Sequence, residues 1–407
     1  MPNFARGDTV VINYIDEIPL KGQRVLMRMD FNIPLDDSGN ITDDNRIRAA
    51  LPSIRYAIEA GARLILCSHL GRPKGQRIEK FSLRPVARRL GELIGQEVSL
   101  APDCIGDEVE SQVNSMSDGE VLLLENLRYY QGETKNDPGF AEALAKMADV
   151  YINDAFAVSH RAHASVVGVP GLVKDCAAGL LIKQELLYFK KVMEEPARPL
   201  VAILGGAKIS GKLEAIKNIL NRVDKLIVGG AMANTFLTAQ GIDIGKSLTE
   251  KELVGTARAL IDQAKDKGIK FYLPVDCVIA QDLDTNAEIR IVPTQEIPDD
   301  WMALDIGPAT SGLFSEALYN AETIVWNGPM GAFELDPFSQ GTMALAHAVG
   351  SSQALSIVGG GDTDLAIHRA GEVENISYMS TGGGAFLNLL EGKKLPGITA
   401  LEECSKK

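Results

Sequence analysis

Short apolar runs alternate with amphipathic segments from residue 25 to residue 360, and this alternation constrains the fold more than any other feature. In the first half the runs are VLMRMDF (25–31), RLILCSHL (63–70), EVLLLEN (120–126) and VYINDA (150–155). In the second half they are PLVAILGG (199–206), KLIVGG (225–230), KFYLPV (270–275), TIVWNG (323–328) and LSIVGG (355–360). Each has the length of a strand and almost none alternates cleanly with polar residues, as strands buried on both faces do. The segments between them carry helical periodicity. Over Asp43–Ala60, Ile47, Leu51, Ile54 and Ile58 share one face, and Asp43 and Asp44 suit the first turn. Strand and helix in turn predict parallel sheets covered by helices on both faces.

At 407 residues the chain exceeds what a single core usually supports, so two domains are expected. The helical stretch KQELLYFKKVMEE (183–195) runs into Pro196-Ala197-Arg198-Pro199, and two prolines so close mark a boundary. The expected architecture is α/β, with two Rossmann-like lobes. One spans residues 1–185 and the other 199–395, joined by a helix and hinge over 186–198.

A net charge of −13 argues against a nucleic-acid partner, which requires a basic field. No apolar run approaches the ~18 residues of a membrane-crossing helix. The first residues lack the basic start and apolar stretch of a secretory signal. The five cysteines (Cys67, Cys104, Cys176, Cys277, Cys404) are scattered and without metal-ligand spacing, and they read as reduced thiols of a cytoplasmic protein. Of nineteen arginines, fourteen precede residue 186 and five follow it. Arginine's planar fork suits carboxylate and phosphate, so the first half is the place to expect a small anion.

Nearly every unusual motif follows a predicted strand, where open parallel sheets bind ligands. In LGGAKISGKLEAI (204–216), Gly205-Gly206 permits close backbone approach, and a helix from Gly211 would present its positive end. Lys208 and Lys212 are four apart and would share a face on a continuing helix. The stretch nearly spells a P-loop, but Leu213 stands where that motif places the Mg²⁺-binding hydroxyl. Asp362 in GGGDT (359–363) is a candidate metal carboxylate or, equally, a helix N-cap. In DFNIP (30–34), Asp30 and Asn32 read either as hydroxyl binders on one strand face or as part of an Asn-x-Pro turn. Arg46, His69, Arg72, Arg128 and Arg161 fall in separate loops or helix starts. His160 and His163 lack the carboxylate or cysteine company of a metal site and suit a basic anion pocket better.

The motifs RMDFNIP, DDNRIRAALPSI, SHLGRPKG, ENLRYY, HRAHAS, GGAKISGK, VGGAMANTF, WNGPMGAFE, GGGDT and STGGGAFLNLLEGKKLPG occur in this order, and the sequence closely resembles the phosphoglycerate kinase family over nearly its whole length. The resemblance implies a glycolytic phosphotransferase that moves a phosphoryl group reversibly between 1,3-bisphosphoglycerate and Mg-ADP, giving 3-phosphoglycerate and Mg-ATP. It further implies that Asp30, Phe31, Asn32, Arg46, His69, Leu70, Gly71, Arg72, Arg128 and Arg161 hold the phosphoglycerate. Lys212, Asn327, Glu334, Gly360, Gly361, Asp362 and Thr363 would hold the nucleotide, with Asp362 beside Mg²⁺. Arg46 and Lys208 would stabilise the transferring group, assisted by the backbone amides of Gly382, Gly383 and Gly384. The tail 396–407 would pack back on the first lobe, closure would exclude water, and the protein would act as a monomer. Gly211 stands before Lys212 where many relatives carry Asp. A dinucleotide-dependent oxidoreductase would require the GxGxxG fingerprint that the chain lacks, and a non-catalytic two-lobed binding protein would not require the paired lysines.

Overall fold

The computed structural model describes residues 12–407. Six strands build the first sheet: β1 (Arg24–Arg28), β2 (Arg63–Cys67), β3 (Val98–Leu100), β4 (Val121–Leu123), β5 (Val150–Asn153) and β6 (Asp175–Ala178). They lie in the order β3-β4-β2-β1-β5-β6, and every pairing is parallel. In β1, Val25 and Met27 join the cluster beneath the helices Asn45–Glu59 and Arg84–Ile94, together with Ile47, Ile54, Leu64, Leu66, Val86 and Leu90. The period of two then directs Leu26 and Arg28 to the other face, where Arg28 is fully buried. On the helix Asn45–Glu59 the buried stripe is Ile47, Ala50, Ser53, Ile54 and Ala57, while Leu51 and Ile58 lie at its margin.

The second half contributes β7 (Leu200–Leu204), β8 (Lys225–Val228), β9 (Lys270–Tyr272), β10 (Asp276–Ala280), β11 (Arg290–Pro293), β12 (Met302–Ile306), β13 (Thr323–Asn327), β14 (Leu355–Gly359) and β15 (Tyr378–Ser380). Six of them form a parallel sheet in the order β15-β14-β13-β7-β8-β9. Counted within this sheet, the order is that of a doubly wound dinucleotide fold, with the reversal between β7 and β13. Its core gathers Val201, Ile203, Ile227, Ile324, Trp326 and Val358 under Phe314, Leu318, Leu345 and Ile367. β10, β11 and β12 form a separate antiparallel sheet in the order β11-β10-β12, an addition to the expected all-parallel plan.

The chain resolves into two compact units, one reaching to Leu186 and including Lys394–Lys407, the other spanning Leu187–Lys393. The helix Leu180–Met193 runs through the division. Within the first unit the helix Pro396–Cys404 lies against β6 and the segment 159–168: Gly397 N–H donates to Ser159 O at 2.9 Å, and Leu401 is fully buried. The cysteines depart from the expectation of free thiols. Cys176 of β6 and Cys404 are joined in a disulfide, because the returning helix brings two residues 228 positions apart to a Cα separation of 6.0 Å. Cys67, Cys104 and Cys277 are free and buried.

Candidate active site

In the first unit the segments that leave β1, β2, β4 and β5 at their carboxyl ends carry the cationic residues. β1 ends at Arg28, so Asp30 and Asn32 sit on irregular backbone, not on one face of a strand. Asn32 Oδ1 accepts the Gly71 N–H at 2.8 Å, and Asp30 pairs with Arg46 from the first turn of its helix. Phe31 and Leu70 place their side chains in the hydrophobic core, so only their backbones can meet a ligand. Phe31 N–H donates to Ser68 Oγ at 2.8 Å. Arg128 donates to Gly71 O at 2.7 Å and is 9% exposed. Burial first, then Arg161 and Arg28, lowers its guanidinium to about 10. Arg72 and Arg161 are exposed, and Arg161 Nε meets His160 Nε2 at 3.2 Å.

Beneath these groups lies a buried layer that sequence reasoning missed. Arg28, Glu133 and Ser165 are all 0% exposed. Arg28 Nε donates to Ser165 Oγ (2.9 Å), and Arg28 Nη2 contacts His69 Nδ1 (3.1 Å). Glu133 accepts from Ser165 N–H (2.9 Å) and Ser165 Oγ (2.7 Å), and lies 3.7 Å from His163 Nδ1. Burial, then Arg28 and Arg128, holds His69 well below its ordinary 6.5; the same influences pull His163 down to about 4. Both imidazoles are neutral near pH 7. The only sequence signals were the Arg28 that interrupts an apolar run and a Glu five residues after Arg128, and neither pattern is distinctive.

In the second unit, three loops at the carboxyl ends of β7, β13 and β14 meet at the reversal of strand order. Gly205 N–H donates to Asn327 O (3.0 Å) and Gly206 N–H to Pro329 O (2.9 Å). A Cβ on Gly205 would fall 2.1 Å from Pro329 O, so glycine is required there. Gly328 has φ +100, and a Cβ on it would meet Lys212 Nζ at 2.5 Å. Gly328 N–H donates to Thr363 Oγ1 (2.7 Å), and Asn327 Nδ2 to Gly359 O (2.7 Å). The helix begins at Leu213, not Gly211, with Lys212 as its N-cap. Lys208 therefore lies in the preceding turn and does not share a helical face with Lys212. Lys208 is exposed, whereas Lys212 Nζ folds onto Asn327 O at 2.7 Å and Asn327 Oδ1. Burial lowers the Lys212 ammonium to about 7, opposed by Asp362.

Gly360, not Asp362, is the N-cap of the helix Gly361–Ala370, which removes the capping explanation for this carboxylate. Asp362 is exposed in the first turn and Glu334 is exposed on the loop after β13. Among the described residues no three His, Cys, Asp or Glu side chains converge as a metal site. A lone exposed carboxylate fits an ion that arrives on polyphosphate oxygens. Gly382 N–H donates to Ser380 Oγ at 3.1 Å at the end of β15, and Gly383 has φ +46.

One sheet edge gathers arginines and neutral histidines, a set suited to a small anion, and the other brings glycine-rich loops and lysines to the position where doubly wound sheets bind nucleotides. Together they define an α/β phosphotransferase. A sequence model described as "Phosphoglycerate kinase" matches residues 15–393. The phosphoglycerate kinase of Geobacter sp. (strain M21) is 61% identical over 96% of this chain and 98% of its own length. That of Geobacter metallireducens is 61% identical over 98% of this chain and 100% of its own. The solved phosphoglycerate kinase structure from Coxiella burnetii superposes with a TM-score of 0.88 at 42% identity, covering 97% of this chain and 99% of that one. That from Pyrococcus horikoshii gives 0.84 at 31%, covering 97% and 100%. The chain belongs to the phosphoglycerate kinase family, and with it to the kinases whose acceptor is a carboxyl group.

Proposed function

We propose that this chain transfers the phosphoryl group of 1,3-bisphosphoglycerate reversibly to Mg-ADP, with the phosphoglycerate on the first unit and the nucleotide on the second. The observation that carries this division is the segregation of chemistry. Arg46, Arg72, Arg128, Arg161 and His69 stand at the carboxyl edge of one sheet, and the 205–212, 327–334 and 360–363 loops at that of the other. Asp30 and Asn32 bind the hydroxyl of the substrate, with Asn32 also tied to the Gly71 N–H and Asp30 to Arg46. Lys212, Asn327, Glu334, Gly360, Gly361, Asp362 and Thr363 receive the nucleotide. Asp362 would hold magnesium that arrives on the nucleotide phosphates, and the ion would supply charge neutralisation there. No helix among the described residues is long and apolar enough to cross a membrane. Membership of a glycolytic family supports placing the protein in the cytoplasm as a monomer.

Phosphoryl transfer requires little covalent chemistry from the protein; it requires alignment and fixed cations around the equatorial oxygens. We assign that role to Arg46 and Lys208, and the supporting amides to Gly383 and Gly384, because the Gly382 N–H already donates to Ser380 Oγ. Lys208 is exposed; the Glu250 carboxylate nearby feels its charge, and no hydrogen bond among the described residues ties it to another role. Lys208→Ala should lower kcat by about 10²–10³, the usual loss for one preorganised stabiliser, while Mg-ADP affinity changes less than about tenfold. The measurement is ATP formation from 1,3-bisphosphoglycerate and ADP in a coupled assay, beside direct nucleotide titration. Near-normal kcat in the folded variant would move the transition-state role to Lys212.

A further inference from the structure

The anion pocket of the first unit rests on a buried chain of hydrogen bonds whose directions are forced. Arginine has no acceptor, so Arg28 Nε must donate to Ser165 Oγ, and the Ser165 hydroxyl must in turn donate its hydrogen bond to Glu133 Oε1. Glu133 Oε2 is meanwhile occupied by the Ser165 N–H, so both carboxylate oxygens accept. By the same logic Arg28 Nη2 donates to His69 Nδ1 at 3.1 Å, nearer than the Asp30 carboxylate at 3.9 Å, so this nitrogen carries no proton. The neutral ring must hold its proton on Nε2, and no described residue takes that proton.

We infer that Glu133, which lies beneath the pocket, is a positioning residue: through Ser165 and Arg28 it holds His69 as the Nε2–H tautomer, a fixed neutral donor toward the bound phosphoglycerate. Its carboxylate sits 4.0 Å from Arg28 Nη2 and supplies the buried guanidinium with its negative partner. A neutral donor suits this place. A protonated imidazole would face Arg28, Arg128 and Arg46 with like charge, whereas an N–H dipole adds a hydrogen bond without that repulsion. Glu133 stands on the short helix Gln131–Lys135, which begins three residues after Arg128, so one segment delivers a pocket cation and the anchor of the layer below. The inference rests on reading the first unit as the phosphoglycerate pocket.

The test uses the full chain labelled with ¹⁵N-histidine, with the His69 signals identified by their loss in His69→Gln. Ligand-free wild type should show His69 as the pure Nε2–H tautomer near pH 7. Glu133→Gln keeps the shape but offers one acceptor where two are needed, so the Ser165 bridge reverses or breaks. His69 should then show a mixture of tautomers, and KM for 3-phosphoglycerate should rise roughly tenfold, with KM for ATP within about twofold of wild type. Ser165→Ala, which cuts the bridge without removing a charge, should do the same and decides the matter if Glu133→Gln does not fold. A folded variant that keeps the pure Nε2–H pattern overturns the inference, and so does a tautomer change without a change in phosphoglycerate KM. The tautomer is read without ligand. A wild type that fails to use phosphoglycerate would therefore sink the reading of the pocket, while the spectra still decide the relay.

Discussion

Lys212 is the residue whose surroundings and expected task differ most. Its ammonium is folded onto the Asn327 oxygens and depressed from 10.5 to about 7, so above neutral pH the ligand-free protein holds it largely uncharged. Between pH 7 and 10.5 the unfolded chain binds the proton that the folded one releases. The contribution of this group to stability therefore rises with pH across that window. Arrival of nucleotide phosphates reverses the preference, since an anion beside the amine favours the charged form. Binding of Mg-ADP at pH 8 should take up protons, seen as heats that vary with the ionisation enthalpy of the buffer. Lys212→Met should abolish the uptake and Lys208→Ala should preserve it; equal uptake in all three would assign the titration elsewhere. Residues of this kind were legible in the sequence because charged side chains after strands are conspicuous. Arg28, Glu133 and Ser165 were not, because a buried charge network follows no period and its members lie up to 137 positions apart.

At the scale of elements, the strands in apolar runs declared themselves: β2, β4, β5, β7, β8, β9, β13 and β14 fall within expected runs, and β1 starts one residue before its run. The strands that escaped are of two kinds. β3, β6 and β15 are three or four residues long and lie at the edges of their sheets, too short for a periodicity to emerge. β10–β12 belong to the small antiparallel sheet, whose outer strand β11 is mostly exposed and carries no apolar signature. That sheet is fastened to the following helix by Asp276, whose carboxylate accepts from Ala309 N–H (3.0 Å), Thr310 N–H (2.7 Å) and Thr310 Oγ1 (2.6 Å). This is a helix cap supplied from 33 residues upstream of the first amide it holds, which no local capping pattern discloses. Asp276→Ala should cost about 1–2 kcal/mol, as loss of a helix cap does, with nucleotide affinity unchanged. Urea unfolding would read the loss, and a midpoint equal to wild type would show that the cap is replaced by water or by a neighbour.

For the molecule as a whole, the two units differ in how the chain composes them. Leu187–Lys393 is contiguous and has its own core, whereas the first unit takes its last helix from residues beyond 393. That helix fills a close-fitting place. A Cβ on Gly397 would meet Val166 at 2.7 Å, and Leu395 and Leu401 are buried. A fragment spanning 187–393 should fold cooperatively and bind Mg-ADP by calorimetry. Residues 1–186 alone should expose the surface that Leu395 and Leu401 cover, and should gain thermal stability when a 394–407 peptide is added. A fragment over 187–393 that folds without binding nucleotide would contradict the division of ligands between units.

The returning helix also sets an order of events during synthesis. When the ribosome has made residue 186, the first unit still lacks a buried wall, and the missing segment is about 200 residues away. At elongation rates of roughly 5–20 residues per second, that interval lasts some tens of seconds at the slow end. During it the contiguous unit can form in full, while the earlier one waits with β6 and the 159–168 segment uncovered. The unit begun first is thus the one completed last, and its Cys176 thiol stays available to other partners until Cys404 emerges.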